Sequence, residues 1–201
     1  MHLTRTEEPE EEPLTLDEAK LHCRVDISAD DELITALITS ARLWVEQHCI
    51  NSLITQSYTV TYDYHDRSNG FWIVKRKFRL PQSPIQEIET ITTYDSDNNA
   101  TELDSDNYRL SGDYIVLNDN ASWPTNLRLY DCLQIDFIAG FSDEANGIPK
   151  SIIQAMKMLV ATWYENRESI TDDVLASMNS NALEIPFGVK SLLAPYRTIE
   201  V

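Results

Sequence analysis

Three features of the chain predict an α+β fold: apolar residues at helical spacing towards both ends, a switch to alternating spacing across residues 54–138, and turn-rich clusters punctuating that alternation. The expected architecture is a small helical bundle of three main helices plus a short C-terminal helix. An antiparallel β insertion separates the second and third helices. At 201 residues the chain can bury about 70% of its unfolded surface without disulfide staples, so one domain over residues 14–194 is expected.

Residues 1–13 open on Glu7, Glu8, Glu10, Glu11 and Glu12, broken by Pro9 and closed by Pro13. Such a run buries little apolar surface and repels itself, so a disordered acidic tail is expected. Thr15-Leu16-Asp17-Glu18 has capping-box spacing and starts a helix over about 15–24. Ser28-Ala29-Asp30-Asp31 repeats the device for a longer helix over about 29–49. Leu33, Ile34, Leu37, Ile38, Ala41, Trp44, Val45 and Cys49 make its apolar stripe. Asn51 follows and suits the left-handed conformation that ends a helix.

From residue 54 the period becomes two, with Tyr58, Val60, Tyr62 and Tyr64 alternating with polar neighbours. Turn clusters at residues 66–70, 95–99 and 110–113 divide the stretch into about six strands. Pro149 opens the third main helix, over about 149–167, because a missing amide proton costs nothing in a first turn. Ile152, Ile153, Met156, Leu159, Val160, Trp163 and Tyr164 supply its stripe. Residues 168–184 are polar and read as a mobile loop. A short helix over about 188–194 follows, ended by Pro195, and residues 195–201 form a tail.

Composition excludes several classes of function. Asp and Glu number 33 against 16 Lys and Arg, a formal net charge of −17, which opposes binding through nucleic-acid phosphates. Cys23, Cys49 and Cys132 are odd in number and lack Cys-x-x-Cys spacing, as expected of reduced thiols. The acidic first residues do not read as a secretory leader, and no apolar run approaches the ~20 residues of a membrane span. The chain has 5 glycines, spaced without a phosphate cradle or dinucleotide fingerprint, and its histidines lack metalloprotease spacing. No catalytic residues, metal or cofactor are expected.

The candidates for chemistry have simpler readings. The neighbours His22-Cys23 and His48-Cys49 lie near helix ends, and both cysteines suit a buried face better than zinc. Asp95-Ser96-Asp97-Asn98-Asn99 imitates the start of a calcium loop, but Ala100 stands where the sharp turn needs glycine; a polar hairpin turn is expected. The pairs Asp30-Asp31, Asp143-Glu144 and Asp172-Asp173 read as solvated charge. Lys75, Lys77 and Arg79 lie on one face of a strand, with Phe78 and Leu80 on the other. They form a candidate inter-subunit contact for an acidic neighbouring copy.

The order and spacing of several blocks carry a resemblance. Pro13-Leu14-Thr15-Leu16-Asp17-Glu18-Ala19-Lys20 and Arg24-Val25-Asp26 open it. Asp31-Glu32-Leu33-Ile34, Ala41-Arg42-Leu43-Trp44-Val45-Glu46, Leu80-Pro81, Phe137-Ile138-Ala139-Gly140-Phe141 and Ile185-Pro186-Phe187-Gly188 continue it to Pro195-Tyr196-Arg197. Over roughly residues 13–197 the chain resembles the head–tail connector (adaptor) proteins of tailed bacteriophages and gene transfer agents. Asn51 departs mildly from the glycine usual there.

The resemblance implies a structural virion protein, not an enzyme. It would be assembled in the bacterial cytoplasm as a ring, commonly a dodecamer, beneath the portal protein at the neck. Such a ring connects the DNA-filled head to a tail-side neck or tail-completion protein and lines a channel through which DNA passes without specific binding. It further implies that the C-terminal segment binds the portal, here Leu192, Leu193, Pro195, Tyr196, Arg197, Thr198, Ile199 and Val201. The alternative reading, carried by charge alone, is an acidic DNA mimic that inhibits a DNA-binding protein.

Overall fold

The computed structural model describes residues 1–66, 71–72, 76–166 and 185–197; the loop expected at 168–184 lies outside them. The fold is α+β. Where the pattern suggested one domain, the residues gather into two compact units: Met1–Pro9 with Thr55–Phe141, and Glu10–Ile54 with the residues from Ser142 onward.

The first unit contains β1 (His2–Glu7), β2 (Gln56–Tyr62), β3 (His65–Asp66), β4 (Phe71–Trp72), β5 (Lys77–Arg79), β6 (Ile85–Tyr94), β7 (Ala100–Glu102), β8 (Tyr108–Ser111), β9 (Tyr114–Leu117) and β10 (Leu133–Ala139). The strands are more numerous and shorter than the about six expected. A five-stranded antiparallel sheet runs β1-β2-β10-β6-β7, a three-stranded sheet β5-β9-β8, and β3 pairs with β4. Alternation puts Tyr58, Val60, Tyr62, Leu133, Ile135 and Phe137 on a buried face, joined by Phe78, Leu80 and Ile115. Tyr58 stacks on Phe137 at 5.6 Å between centroids, and Phe78 meets Tyr62 and Trp123 at 5.9 Å each. Gly112, at φ 61°, allows the tight turn between β8 and β9 where a side chain would be strained.

The N-terminal residues depart from the sequence expectation: His2–Glu7 is a strand rather than a disordered tail, paired with β2 from His2↔Thr61 to Glu7↔Ser57. Charge composition misses this because a sheet edge binds backbone, whatever the side chains. Leu3 and Arg5 sit opposite Val60 and Tyr58 on the buried side.

The second unit contains α1 (Leu16–Cys23), α2 (Asp31–Cys49), α3 (Lys150–Glu165) and α4 (Phe187–Leu193). Helix α1 packs on α2 and α3, α2 on α3, and α3 on α4. The capping box at α1 forms as expected, Thr15 Oγ1 accepting from the Glu18 amide and Glu18 from that of Thr15. At α2 it does not: Asp30 makes no cap bond, and its carboxylate accepts from the Tyr164 hydroxyl at 2.6 Å.

Two more details of α2 escape periodicity. The left-handed C-cap is Ile50, at φ 57°, not Asn51. Arg42 and Glu46 are buried in line with Ile38 and Val45. Arg42 Nη1 donates to Glu46 at 3.2 Å and Arg42 Nε to Glu12 at 2.9 Å, while Glu12 also accepts from Thr39 at 2.8 Å. Glu46 accepts from the Leu53 amide at 3.1 Å. The end of the acidic N-terminal run is thus tied to α2, and the charges satisfy one another out of water.

Candidate docking segment at the C-terminus

Helix α4 starts after Pro186, and Val189 and Leu193, one turn apart, are buried by packing that includes α3. A 3₁₀ turn, Ala194–Tyr196, extends it with Pro195 near its start, where proline is tolerated. Tyr196 is docked at both ends: its carbonyl accepts from Asn51 Nδ2 at 2.8 Å and its hydroxyl from Ser151 Oγ at 3.0 Å. Asn51 is buried, so this amide bond is made away from water, where an unmade one is costly.

Beside the turn, Trp44 stacks on His48 at 4.7 Å. Burial, then the nearby cations Arg197 and Lys190, hold His48 below its ordinary pKa. Arg197 and Lys190 are exposed and form a cationic spot on a strongly acidic chain.

The residues implied as portal-binding therefore differ in availability. Leu193 belongs to the unit's own core and Tyr196 is half-buried and tethered, so neither is a loose anchor. Leu192 is half-buried, and Pro195 and Arg197 are exposed. Thr198, Ile199 and Val201 lie outside the described residues. Sequence reasoning missed Asn51 and Ser151 in this site, because nothing local marks a residue whose partner is 145 or 45 positions away. It also missed Phe187, which is exposed at the start of α4.

The basic strip is largely engaged inside the β unit. Arg79 donates to Asp113 at 3.1 Å and to Ser83 at 2.9 Å, and Lys77 Nζ lies 4.1 Å over the Tyr114 ring. Phe78 and Leu80 are buried on the opposite face, as alternation required; Lys75 is outside the described residues.

The Asp95 loop is the turn between β6 and β7. Asp95 Oδ1 accepts from the amides of Asp97 and Asn99 and Oδ2 from Asn99 Nδ2, bonds that hold its carboxyl below the usual range. Of the acidic pairs, Asp31 meets Lys20 at 2.5 Å and Asp30 meets Tyr164; Asp172 and Asp173 are outside the described residues. Burial pushes the Cys49 thiol up to about 11, and no group of three His, Cys, Asp or Glu able to hold a metal occurs among the described residues. No helix among them is long and apolar enough to cross a membrane.

The comparisons give the class and the family together: the head completion protein model matches residues 13–199, and the chain belongs to that family, one of structural neck proteins and not a class of enzymes. The fold is similar to a chain of the neck of an empty gene transfer agent particle computed with C6 symmetry and to a chain of the virion of a native gene transfer agent particle. Each has a TM-score of 0.76 and 22% identity, covering 100% of this chain and 97% of the other. A chain of the neck of a native particle computed with C12 symmetry matches with a TM-score of 0.70 at the same identity and coverage. No curated protein matches in sequence.

Proposed function

We propose that this chain is a head–tail adaptor of a phage or phage-like particle, located in the neck. It forms a ring beneath the portal, joins the DNA-filled head to a tail-side protein and lines the DNA channel. The single observation that carries the reading is the family match over residues 13–199. Likeness to neck chains over the full length of this one supports it, and their C6 and C12 symmetries favour a ring, with a dodecamer as the working number. The helical unit is read as a small bundle and the β unit as its insertion.

Charge gives the ring a physical purpose. At −17 per chain, about twelve copies carry roughly −200 formal charges before screening, and an acidic wall lets DNA pass without adhering.

The portal contact is assigned to the C-terminal segment: the exposed Pro195 and Arg197, the half-buried Leu192, and Thr198, Ile199 and Val201. Leu193 and Tyr196 act behind them by fixing where the segment leaves the helical unit. Lys75, Lys77 and Arg79 remain a proposed contact between copies, with Arg79 contributing least because Asp113 already neutralises it.

The test is an affinity pull-down from particle-producing cells, comparing the full chain with one ending at Tyr196 and identifying captured proteins by mass spectrometry. Ending there keeps the bonds to Asn51 and Ser151. Portal protein held by the full chain and lost from the shortened one is the expected result. Equal capture by both removes Arg197, Thr198, Ile199 and Val201 from the anchor, and a nuclease or repressor in place of the portal turns the reading to a DNA mimic.

A further inference from the structure

Helix α2 runs from Asp31 to Cys49, and past Glu32 its charged side chains are Arg42 and Glu46, each 3% exposed and bonded to the other. With His48 held neutral, the solvent side of the helix carries no formal charge over residues 33–49, about 25 Å of helix on a chain of net charge −17. Leu33, Leu37, Ser40, Trp44 and His48 recur there at steps of three and four, so they lie in one row. Leu33 and Ser40 are exposed, and Leu37, Trp44 and His48 are half-buried. An uncharged, partly apolar row of this length is what an amphipathic segment packs against.

The row ends on cations. Lys190 and Arg197 lie beside His48, are exposed and form no ion pair among the described residues. Most described cations are instead engaged within the chain, as Lys20 is by Asp31, Lys157 by Glu18 and Arg79 by Asp113. The fold sets where the two stand, since Arg197 follows the tethered Tyr196 and the Lys190 carbonyl accepts from the Ala194 amide at the end of α4. Lys150, also exposed, opens α3 next to Ser151, whose hydroxyl bonds that of Tyr196.

The occupant follows from charge. The chain as a whole repels carboxylate-rich partners, and here such a partner meets cations and a flank without charge. A basic partner is drawn to the acidic surface instead. A DNA duplex fits poorly, because it carries phosphates all round and offers no apolar face to Leu33, Leu37 and Trp44.

We propose that the α2 row and the cations Lys190 and Arg197 form one docking surface for an amphipathic, acidic segment of a partner protein. Its apolar side chains lie along Leu33, Leu37 and Trp44, and its carboxylates meet Lys190 and Arg197. This rests on the portal reading above, in which that partner is the portal, and gives the contact its chemistry.

The test is capture of particle proteins from nuclease-treated lysates by the full-length chain, with bound proteins identified by mass spectrometry. Lys190→Gln with Arg197→Gln, and separately Leu33→Glu, are each expected to reduce portal capture by about tenfold or more. These side chains are exposed, so Tm should be unchanged, and Lys190→Arg with Arg197→Lys should retain capture. Raising salt from about 0.1 to about 0.5 M should weaken capture by the unsubstituted chain and hardly alter that by the double Gln variant. Full portal capture by the double Gln variant overturns the surface and leaves the portal reading standing. Loss in that variant with full capture by Leu33→Glu also overturns it, reducing the contact to charge alone, and capture that disappears on nuclease treatment overturns it in favour of nucleic acid. An acidic particle protein other than the portal, held by the unsubstituted chain and lost from both variants, keeps the surface and overturns the portal reading.

Discussion

The two units reach similar ends by different chemistry. The β unit is filled by aromatic and aliphatic side chains on alternating positions, Tyr58, Tyr62, Phe78, Trp123 and Phe137 among them, and its polar side chains bond one another across the strands, as Thr59 and Thr90 do on Asp136, and at turns. The helical unit has an apolar stripe as well, but its ends are set by buried polar groups: Arg42 between Glu12 and Glu46, Glu46 on the Leu53 amide, Asn51 on Tyr196. Apolar packing is tolerant of sequence and non-directional, whereas a buried charge needs its particular partner. In the helical unit the directional bonds therefore decide which partner each buried polar group must keep.

Substitutions can break that comparison, beginning with the largest effect. Phe137→Ala leaves a cavity in the β unit and is expected to cost about 4 kcal/mol in denaturant unfolding, with little dependence on salt. Arg42→Met leaves Glu46 buried without its cation and is expected to cost about 3 kcal/mol. Cys132 and Cys49 report the two units separately, because both are buried, one in each. Thiol labelling in mild denaturant should therefore reach Cys132 first in Phe137→Ala and Cys49 first in Arg42→Met; simultaneous labelling in both variants would show that the units unfold as one.

A smaller effect is expected at Asn51→Ala, about 1–2 kcal/mol, with faster hydrogen exchange at the Arg197 amide as the 3₁₀ turn loosens. Ile50→Gly relieves a β-branched residue at positive φ and should stabilise the helical unit by under about 1 kcal/mol, read as a raised Tm. The thiols predict a pH dependence. Burial raises both Cys49 and Cys132 to about 11, so the folded chain holds those protons more tightly than the unfolded one. Their contribution is whole below about pH 9 and is lost as pH rises towards 11; replacing both with alanine should flatten that decline in an unfolding series.

Much of the helical framework was legible. The stripes of α2 and α3 appear at the spacing of the sequence save at Leu33, which is exposed, and observed ends lie within two residues of those expected, because burial direction is written locally at 3.6 residues per turn. Strand alternation was legible at Tyr58, Val60 and Tyr62 for the same kind of reason. The candidate site was legible only as a region. That Pro195, Tyr196 and Arg197 stand near the C-terminus is visible in the chain; that Tyr196 is a tether is not, since Asn51 lies 145 positions away.

The sequence by itself therefore determined the α+β class, the main helices, the acidic surface and the family resemblance, all of which rest on local periodicity, composition or block order. Tertiary structure alone decided that the N-terminal residues join a sheet, that Arg42 and Glu46 are buried, that Leu193 is core and that residues 126–131 form a loop braced by Arg128. The physical reason is common to these cases. A backbone edge, a buried charge and a hydrogen-bonded loop are each satisfied by a partner brought near by the fold, and the identity of that partner is a property of the whole chain.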